Sequence, residues 1–381
     1  MTDLGCNGQA TAVALQKDRT TRWPDLVAEM RAHAPRALAR MYSPAEKAFV
    51  FRVRRDNDRV VQEGMSLRYT AITLIGLARE DERVCSAALC GDTRQAVLER
   101  LRAETPGMKS LGDVALVLWA AHANGIADRS WAWSKLLEFQ ADRRDYPTVE
   151  VAWALSALCL DEEAKVGDLR EKLAARLMKS FHPAAGIFPH IVGSTSRMHV
   201  ACFADQVYPI HALSHYFRIS RDVNAKAAAE RCAKQICALQ GSAGQWWWHY
   251  DCRTGGVVEG YPVYAIHQDA MAPMALFALR DCTGTDLREA IDKGLSWLVQ
   301  APELNGSTLF DRKADLIWRK VARREPRKFV RYAQAFASSI HPRFRFPVET
   351  LFPPDAIDYE DRPYHLGWLL YAWPAATETT R

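Results

Sequence analysis

The 381-residue chain lacks most of the features that would narrow its class at a glance. No apolar run reaches the roughly 20 residues that span a bilayer, and the start carries no basic–apolar–small-residue signal. No transmembrane segment is expected, and the expected location is cytoplasmic. The nine cysteines are scattered without a C-x-x-C pair, so they read as small buried thiols in a reducing compartment. Charge is nearly balanced, 50 Lys and Arg against 45 Asp and Glu, with no zinc-finger spacing and no RRM-like or helix-turn-helix pattern. That excludes nucleic acid as an expected partner. An apolar fraction of 49% supports a core that needs no covalent staples.

What the chain does have is a rhythm. Residues 1–20 are polar and weakly patterned, a flexible lead-in, and residues 21–381 are expected to form one domain. A helix is expected over 24–41, kinked at Pro35, followed by an Arg-rich polar passage at 51–59. Apolar and amphipathic segments then alternate: 67–78 with 93–104, 111–125 with 130–142, and 148–160 with 167–181. The alternation continues with 203–220 and 224–240, then 264–284 and 286–300, and a last apolar segment at 364–373 stands alone. A helix that is apolar all round is buried on every side, whereas one with a charged face lies at a surface. Two concentric rings of helices follow, with the lone segments at 24–41 and 364–373 closing a sixth pair. The expected fold class is all-α, an (α/α)6 toroid, in preference to an open superhelical array, whose repeats hold a tighter period. Insertions at 182–199, 241–262 and 301–363 each fall between an outer helix and the next inner one. They would build one rim, where function usually sits.

Chemistry concentrates in the stretch from Gly241 to Leu279. Trp246, Trp247 and Trp248 lead into His249, Tyr250 and Asp251, then a Gly-Gly turn and a second extended run, which together read as a hairpin. Strand alternation would put Trp246, Trp248 and Tyr250 on one face and Trp247, His249 and Asp251 on the other, making His249 and Asp251 an acid–base couple. The starts of the inner helices carry Arg68, Asp113, Glu150, Asp205 and Asp269, with His211, His267 and His365 near the same level. Charges seldom enter an apolar face unpaired, so these residues should ring a mouth. Asp113 and Glu150 are expected mainly as caps or ion-pair partners. The acid–base group expected is Asp205, Asp251, Asp269, His249 and His267. Substrate contacts are expected from Trp246, Trp248, Tyr250, Tyr264, His211, Arg68, His365 and Glu259. The basic run at 317–332 reads as one helical face, turned to solvent or to an anionic substrate. No metal-ligand set and no cofactor are expected.

The alternating helices over 24–373, the segments VEVAWALSAL, DAMAPMALFAL and HLGWLLYAW, and the hairpin QWWWHYDCRTGG resemble two groups of α/α-toroid proteins. One group is the six-hairpin glycosidases and sugar epimerases. That resemblance implies a carbohydrate-active enzyme (hydrolase, lyase or epimerase) on a small-molecule or oligosaccharide substrate, anionic where the basic run takes part. The other group is the terpene cyclase and prenyltransferase repeat proteins. It implies an isoprenoid cyclase or transferase, and only there would Mg²⁺ be sought, in the loop carrying Asp355, Asp358, Glu360 and Asp361. The Asp-x-Asp-Asp and Asp-Asp-x-x-Asp strings of that group are absent. A third possibility is a toroid that only binds or assembles, with each mouth carboxylate neutralised by a fixed arginine.

Overall fold

The computed structural model describes residues 23–193, 199–324 and 351–375, so the lead-in and the second half of the basic run, 325–332, lie outside the described residues. The helices follow the rhythm of the sequence: α1 (Trp23–Ala39), which runs through Pro35, α2 (Leu67–Leu77), α3 (Glu82–Ala88) and α4 (Arg94–Glu104). Then come α5 (Leu111–Ala123), α6 (Ser130–Glu138), α7 (Thr148–Leu160), α8 (Leu169–Ser180), α9 (Ala204–Ser220) and α10 (Val223–Ala238). The last are α11 (Ala272–Thr283, entered through a π-helical turn at His267–Met271), α12 (Arg288–Gln300) and α13 (Pro363–Ala372).

Burial separates two kinds of helix. In α5 every residue from Val114 to Ala121 is buried, so the helix has no solvent face. In α10 only Ala225, Ala228, Ala229, Cys232, Ala233 and Ile236 are buried, the i, i+3, i+4 stripe of a helix lying on a core. The buried kind packs in a closed cycle: α2 on α5, α5 on α7, α7 on α9, α9 on α11, α11 on α13, and α13 back on α2. Glycine permits that last contact. A Cβ on Gly76 would sit 2.2 Å from the Gly367 carbonyl oxygen, so the two backbones touch where the cycle closes. Outside, α1 packs on α13, which makes the first helix the outer partner of the last.

The strands all lie in links that enter inner helices. The link before α2 holds β1 (Tyr42–Ser43), β2 (Ala48–Asp56) and β3 (Arg59–Met65); that before α7 holds β4 (Tyr146–Pro147). The link before α9 holds β5 (Ile191–Val192) and β6 (Val200–Cys202), and the link before α11 holds β7 (His249–Asp251), β8 (Val257–Glu259) and β9 (Val263–Tyr264). Before α13 come β10 (Phe310–Asp311), β11 (Leu316–Ile317), β12 (Lys320–Ala322), β13 (Ala356–Asp358) and β14 (Glu360–Asp361). Neighbouring links are sewn together by pairing of β4 with β5, β6 with β7, β9 with β12, and β14 with β2. The link into α5, Thr105–Ser110, contributes a 3₁₀ turn and no strand.

Two expectations are corrected here. The fold is mostly helical but not all-α. The passage at 51–59 forms most of a hairpin in which Arg52 faces Glu63: Val53 is buried between the more exposed Arg52 and Arg54, and Asn57 takes the left-handed turn position at φ 54°. The described start of the basic run is extended, not helical: Lys320–Ala322 is the middle strand between β9 and β13. Among the described residues no helix is long and apolar enough to cross a membrane.

Candidate active site

Among the described residues, contacts join the starts of the six inner helices, or the links that lead into them, around a full circle. Arg68 meets Asp113 at 2.5 Å, the Gly112 N–H donates to Glu150 at 2.9 Å, and the Thr148 N–H donates to the His190 carbonyl oxygen at 2.9 Å. Phe203 packs on His267 with centroids 4.4 Å apart, Asp269 meets His365 at 2.8 Å, and Tyr69 stacks on Tyr364 at 4.6 Å. All six N-termini therefore share one end, which the strand links surround.

At the corner between α5 and α7 the carboxylates remain half-exposed. Ser110 caps α5 by accepting the Asp113 N–H (3.2 Å), and its hydroxyl donates to Glu150 Oε2 (3.1 Å). Arg68 lies between them, on Asp113 and on Ser110 Oγ, with its guanidinium 5.6 Å from the Trp153 ring centroid. Asp113 and Arg68 keep 28% and 36% of their side-chain surface, whereas Asp205 and Asp269 keep 0%. Asp113 and Glu150 occupy the same position, three residues past the caps Ser110 and Pro147 of consecutive inner helices. The strand-free link runs into this corner at Ser110.

A cationic, aromatic wall runs from the start of α2 past that of α13 to that of α11. Tyr69 stacks on Phe51 as well as Tyr364, and Arg362 donates to the Tyr69 hydroxyl (2.9 Å) while lying over Phe51. Arg319 lies over Tyr264, 5.2 Å from its centroid. Five cations here, Arg52, Arg54, Arg319, Lys320 and Arg362, share three carboxylates, Glu63, Asp358 and Glu360. The wall therefore carries net positive charge, which suits an anionic ligand.

The hairpin residues are distributed differently from expectation. His249 does not couple to Asp251. Residues two apart on a strand are separated by about 6.6 Å, whereas β7–β8 pairing sets His249 opposite Glu259, which it meets at 2.6 Å. Trp248 stacks on the His249 ring at 4.1 Å, and Arg323 holds the other oxygen of Glu259. Asp251 instead accepts the backbone N–H and guanidinium of Arg253. Burial raises the Asp251 pKa, but those bonds outweigh it and leave it below its ordinary value. The expected facing of Trp246, Trp248 and Tyr250 also fails, because the strand starts only at His249. Trp246 and Tyr250 are buried in the core, while Trp248 stays half-buried at the mouth.

Other candidates are sealed. Burial pushes the His267 pKa down to about 3, so this ring is neutral and packs on Phe203 and Tyr264. His365 is buried between Asp269 and Asp361. His211 is not at the mouth: six residues beyond Asp205, it lies about 9 Å farther along α9 and is bonded to Ser156 and Tyr371. It lines a cavity of about 580 Å³ at the opposite end of the ring. The acidic loop proposed for Mg²⁺ is consumed by ion pairs of Asp355 with Arg324, Asp358 with Lys320, and Glu360 with Arg52, Arg319 and Arg362.

No protein-family model matches the chain, and no curated protein matches it. Among solved structures it is similar to an unsaturated glucuronyl hydrolase specific for heparin, with 13% identity, 92% of this chain and 95% of that one covered, and TM-score 0.60. A second is the unsaturated glucuronyl hydrolase responsible for glycosaminoglycan degradation from a Bacillus species (14%, 92% and 95%, 0.59). A third is a possible member of glycoside hydrolase family 105 from Salmonella enterica (7%, 97% and 98%, 0.59). At such identities these likenesses establish a shared fold. Nothing in them favours the isoprenoid expectation.

Proposed function

We propose that the protein is a glycoside hydrolase that acts on anionic, uronate-containing oligosaccharides at the mouth of an (α/α)6 toroid. One observation carries this: two partly exposed carboxylates at equivalent positions of consecutive inner helices, at the same end of the ring as a net-positive aromatic wall. The closed helix cycle supports the toroid, and the fold shared with unsaturated glucuronyl hydrolases supports the substrate class.

Acid–base cleavage of a glycosidic bond needs one carboxyl to protonate the departing oxygen and a second to act on water or the sugar. Glu150 is the proposed acid: Oε2 is held by Gly112 and Ser110, and Oε1 has no partner among the described residues, leaving it for a proton in transit. Asp113, oriented by Arg68, is the proposed base. Trp248 would offer a ring face to the sugar, and Arg319 and Arg362 would meet its carboxylate. Asp205, Asp251, Asp269, His249 and His267 then hold the mouth in shape.

The test is hydrolysis of aryl glycosides of saturated and unsaturated uronates beside their neutral counterparts. Uronates are expected to turn over, and Asp113→Asn or Glu150→Gln to lose about 10²–10⁴-fold in kcat, the usual worth of a placed acid or base. Preference for neutral glycosides, or full activity in both variants, would sink the assignment.

A further inference from the structure

We infer that His190, Cys202 and Asp205 form a three-ligand site for Zn²⁺ on the rim of the ring, separate from the Asp113–Glu150 corner. One ligand atom from each lies within 4.8 Å of the others. The three come from different elements: His190 just precedes β5, Cys202 ends β6, and Asp205 opens α9.

Asp205 supplies the independent sign that something is held there. Its side chain is fully buried, and Oδ2 is satisfied by the Cys202 N–H (2.8 Å) and His190 Nδ1 (3.0 Å). Oδ1 is equally buried and has no hydrogen-bond partner among the described residues. Buried carboxylate oxygens are rarely left so, because water's hydrogen bonds have been given up for nothing. The His190 hydrogen bond accounts for Oδ2, and the Cys202 thiol adjoins the same carboxylate as a weak donor; a metal ion would engage all three groups at once, Oδ1 included.

The donor set selects the ion. Thiol sulfur, imidazole nitrogen and carboxylate oxygen suit Zn²⁺, whereas Mg²⁺ and Ca²⁺ require oxygen throughout. Zinc bonds of about 2.0–2.3 Å at a tetrahedral centre put ligand atoms roughly 3.4–3.7 Å apart. Closing from 4.8 Å is a small movement, and the His190 side chain, 46% exposed, is free to make it. Three protein ligands leave a fourth position on the solvent side of His190, open to water or to an anionic group of a ligand. The ion would also tie the link at 182–203 to the start of α9.

The experiment uses the full chain stripped with a chelator and titrated with Co²⁺ as a spectroscopic substitute for Zn²⁺. One equivalent should bind with thiolate-to-cobalt charge-transfer absorption, displaced by Zn²⁺, and Zn²⁺ should raise the melting temperature by mass action. Cys202→Ser should abolish the absorption, and His190→Gln should weaken Co²⁺ binding at least tenfold. Absence of the charge-transfer band, or its survival in Cys202→Ser, overturns the site. Because His190 is half-exposed, His190→Gln is expected to fold whatever Cys202→Ser does; unchanged Co²⁺ affinity in it overturns the site equally.

Discussion

Between α5 and α7, Asp113 and Glu150 stand half in solvent, fastened by Arg68, Ser110 and one backbone N–H. Between α11 and α13, Asp269, Asp361 and His365 sit at the same level of the same ring, with 0%, 1% and 4% of their side chains exposed. Residue type does not distinguish these corners. Cover does: the second lies beneath β11, whose Ile317 N–H donates to Asp361, and against Trp373, which donates to the Asp269 carbonyl oxygen. The first is entered by the 105–110 link, which carries a 3₁₀ turn and no strand. A carboxylate can trade protons with a substrate only where the substrate reaches it, so the open corner suits catalysis and the sealed corner suits stability.

Exchanging substitutions between the corners tests that division most severely. Glu150→Gln should cost about 10²–10⁴-fold in kcat and leave the urea midpoint near its original value. Asp269→Ala should do the reverse. It strands His365, whose pKa is lowered by burial but raised further by Asp269, so that the balance lies above its ordinary value. Removing one member of a buried pair typically costs about 3–5 kcal/mol of folding stability. Denaturation curves and single-turnover rates on both variants decide it; a stable but inactive Asp269→Ala would move the chemistry to the sealed corner.

The same contrast explains what could be read from the chain. The ring was legible because burial on all sides leaves an unmistakable apolar helix, as in Leu111–Ala123, and because α10 shows its single stripe so plainly. The hairpin at His249–Glu259 was legible from its aromatics and Gly-Gly turn. The site was much less so. Asp113 and Glu150 look like cap residues in one dimension, and their exposure is set by the packed ring, which spacing along the chain does not report. Trp246 and Tyr250, conspicuous in sequence, are core residues, since a tryptophan announces large apolar area and not the side from which it is covered. Equivalent positions at the starts of α5 and α7 were the available signal, visible once the caps Ser110 and Pro147 are aligned.

The sealed corner should also reveal itself through pH. Burial pushes the Asp361 carboxyl up to about 7 from 3.8, and His365 is raised as well. The folded state thus keeps a proton on Asp361 that the unfolded chain has already lost, and stability falls as pH rises from about 4 to 7. His365 acts in the same direction: its contribution is complete below its unfolded pKa and is lost as pH rises through the folded one. Asp361→Asn should therefore stabilise the protein more at pH 8 than at pH 5, by a difference of about 2–3 kcal/mol for two titrated units. Melting curves at the two pH values measure it, and an identical change at both would show that Asp361 does not titrate in this range.

The smallest expected effect lies on the cationic, aromatic wall. Arg362 combines an ion pair to Glu360 with a hydrogen bond to Tyr69 and a face-on contact with Phe51. Lysine in its place keeps the charge and loses the planar fork that makes those contacts together. Arg362→Lys should then raise KM for uronate glycosides about three- to tenfold, near 1 kcal/mol, the upper end of a surface charge contact, with kcat unchanged. The penalty should shrink in salt, since exposed charges about 10 Å apart are screened near 0.1 M. Arg253→Lys serves as the comparison, because Arg253 is engaged with Asp251 in the hairpin turn and should leave KM alone. Equal losses on neutral and uronate glycosides would mean that Arg362 shapes the wall without reading the charge, and the case for an anionic substrate would then rest on Arg319 and Lys320.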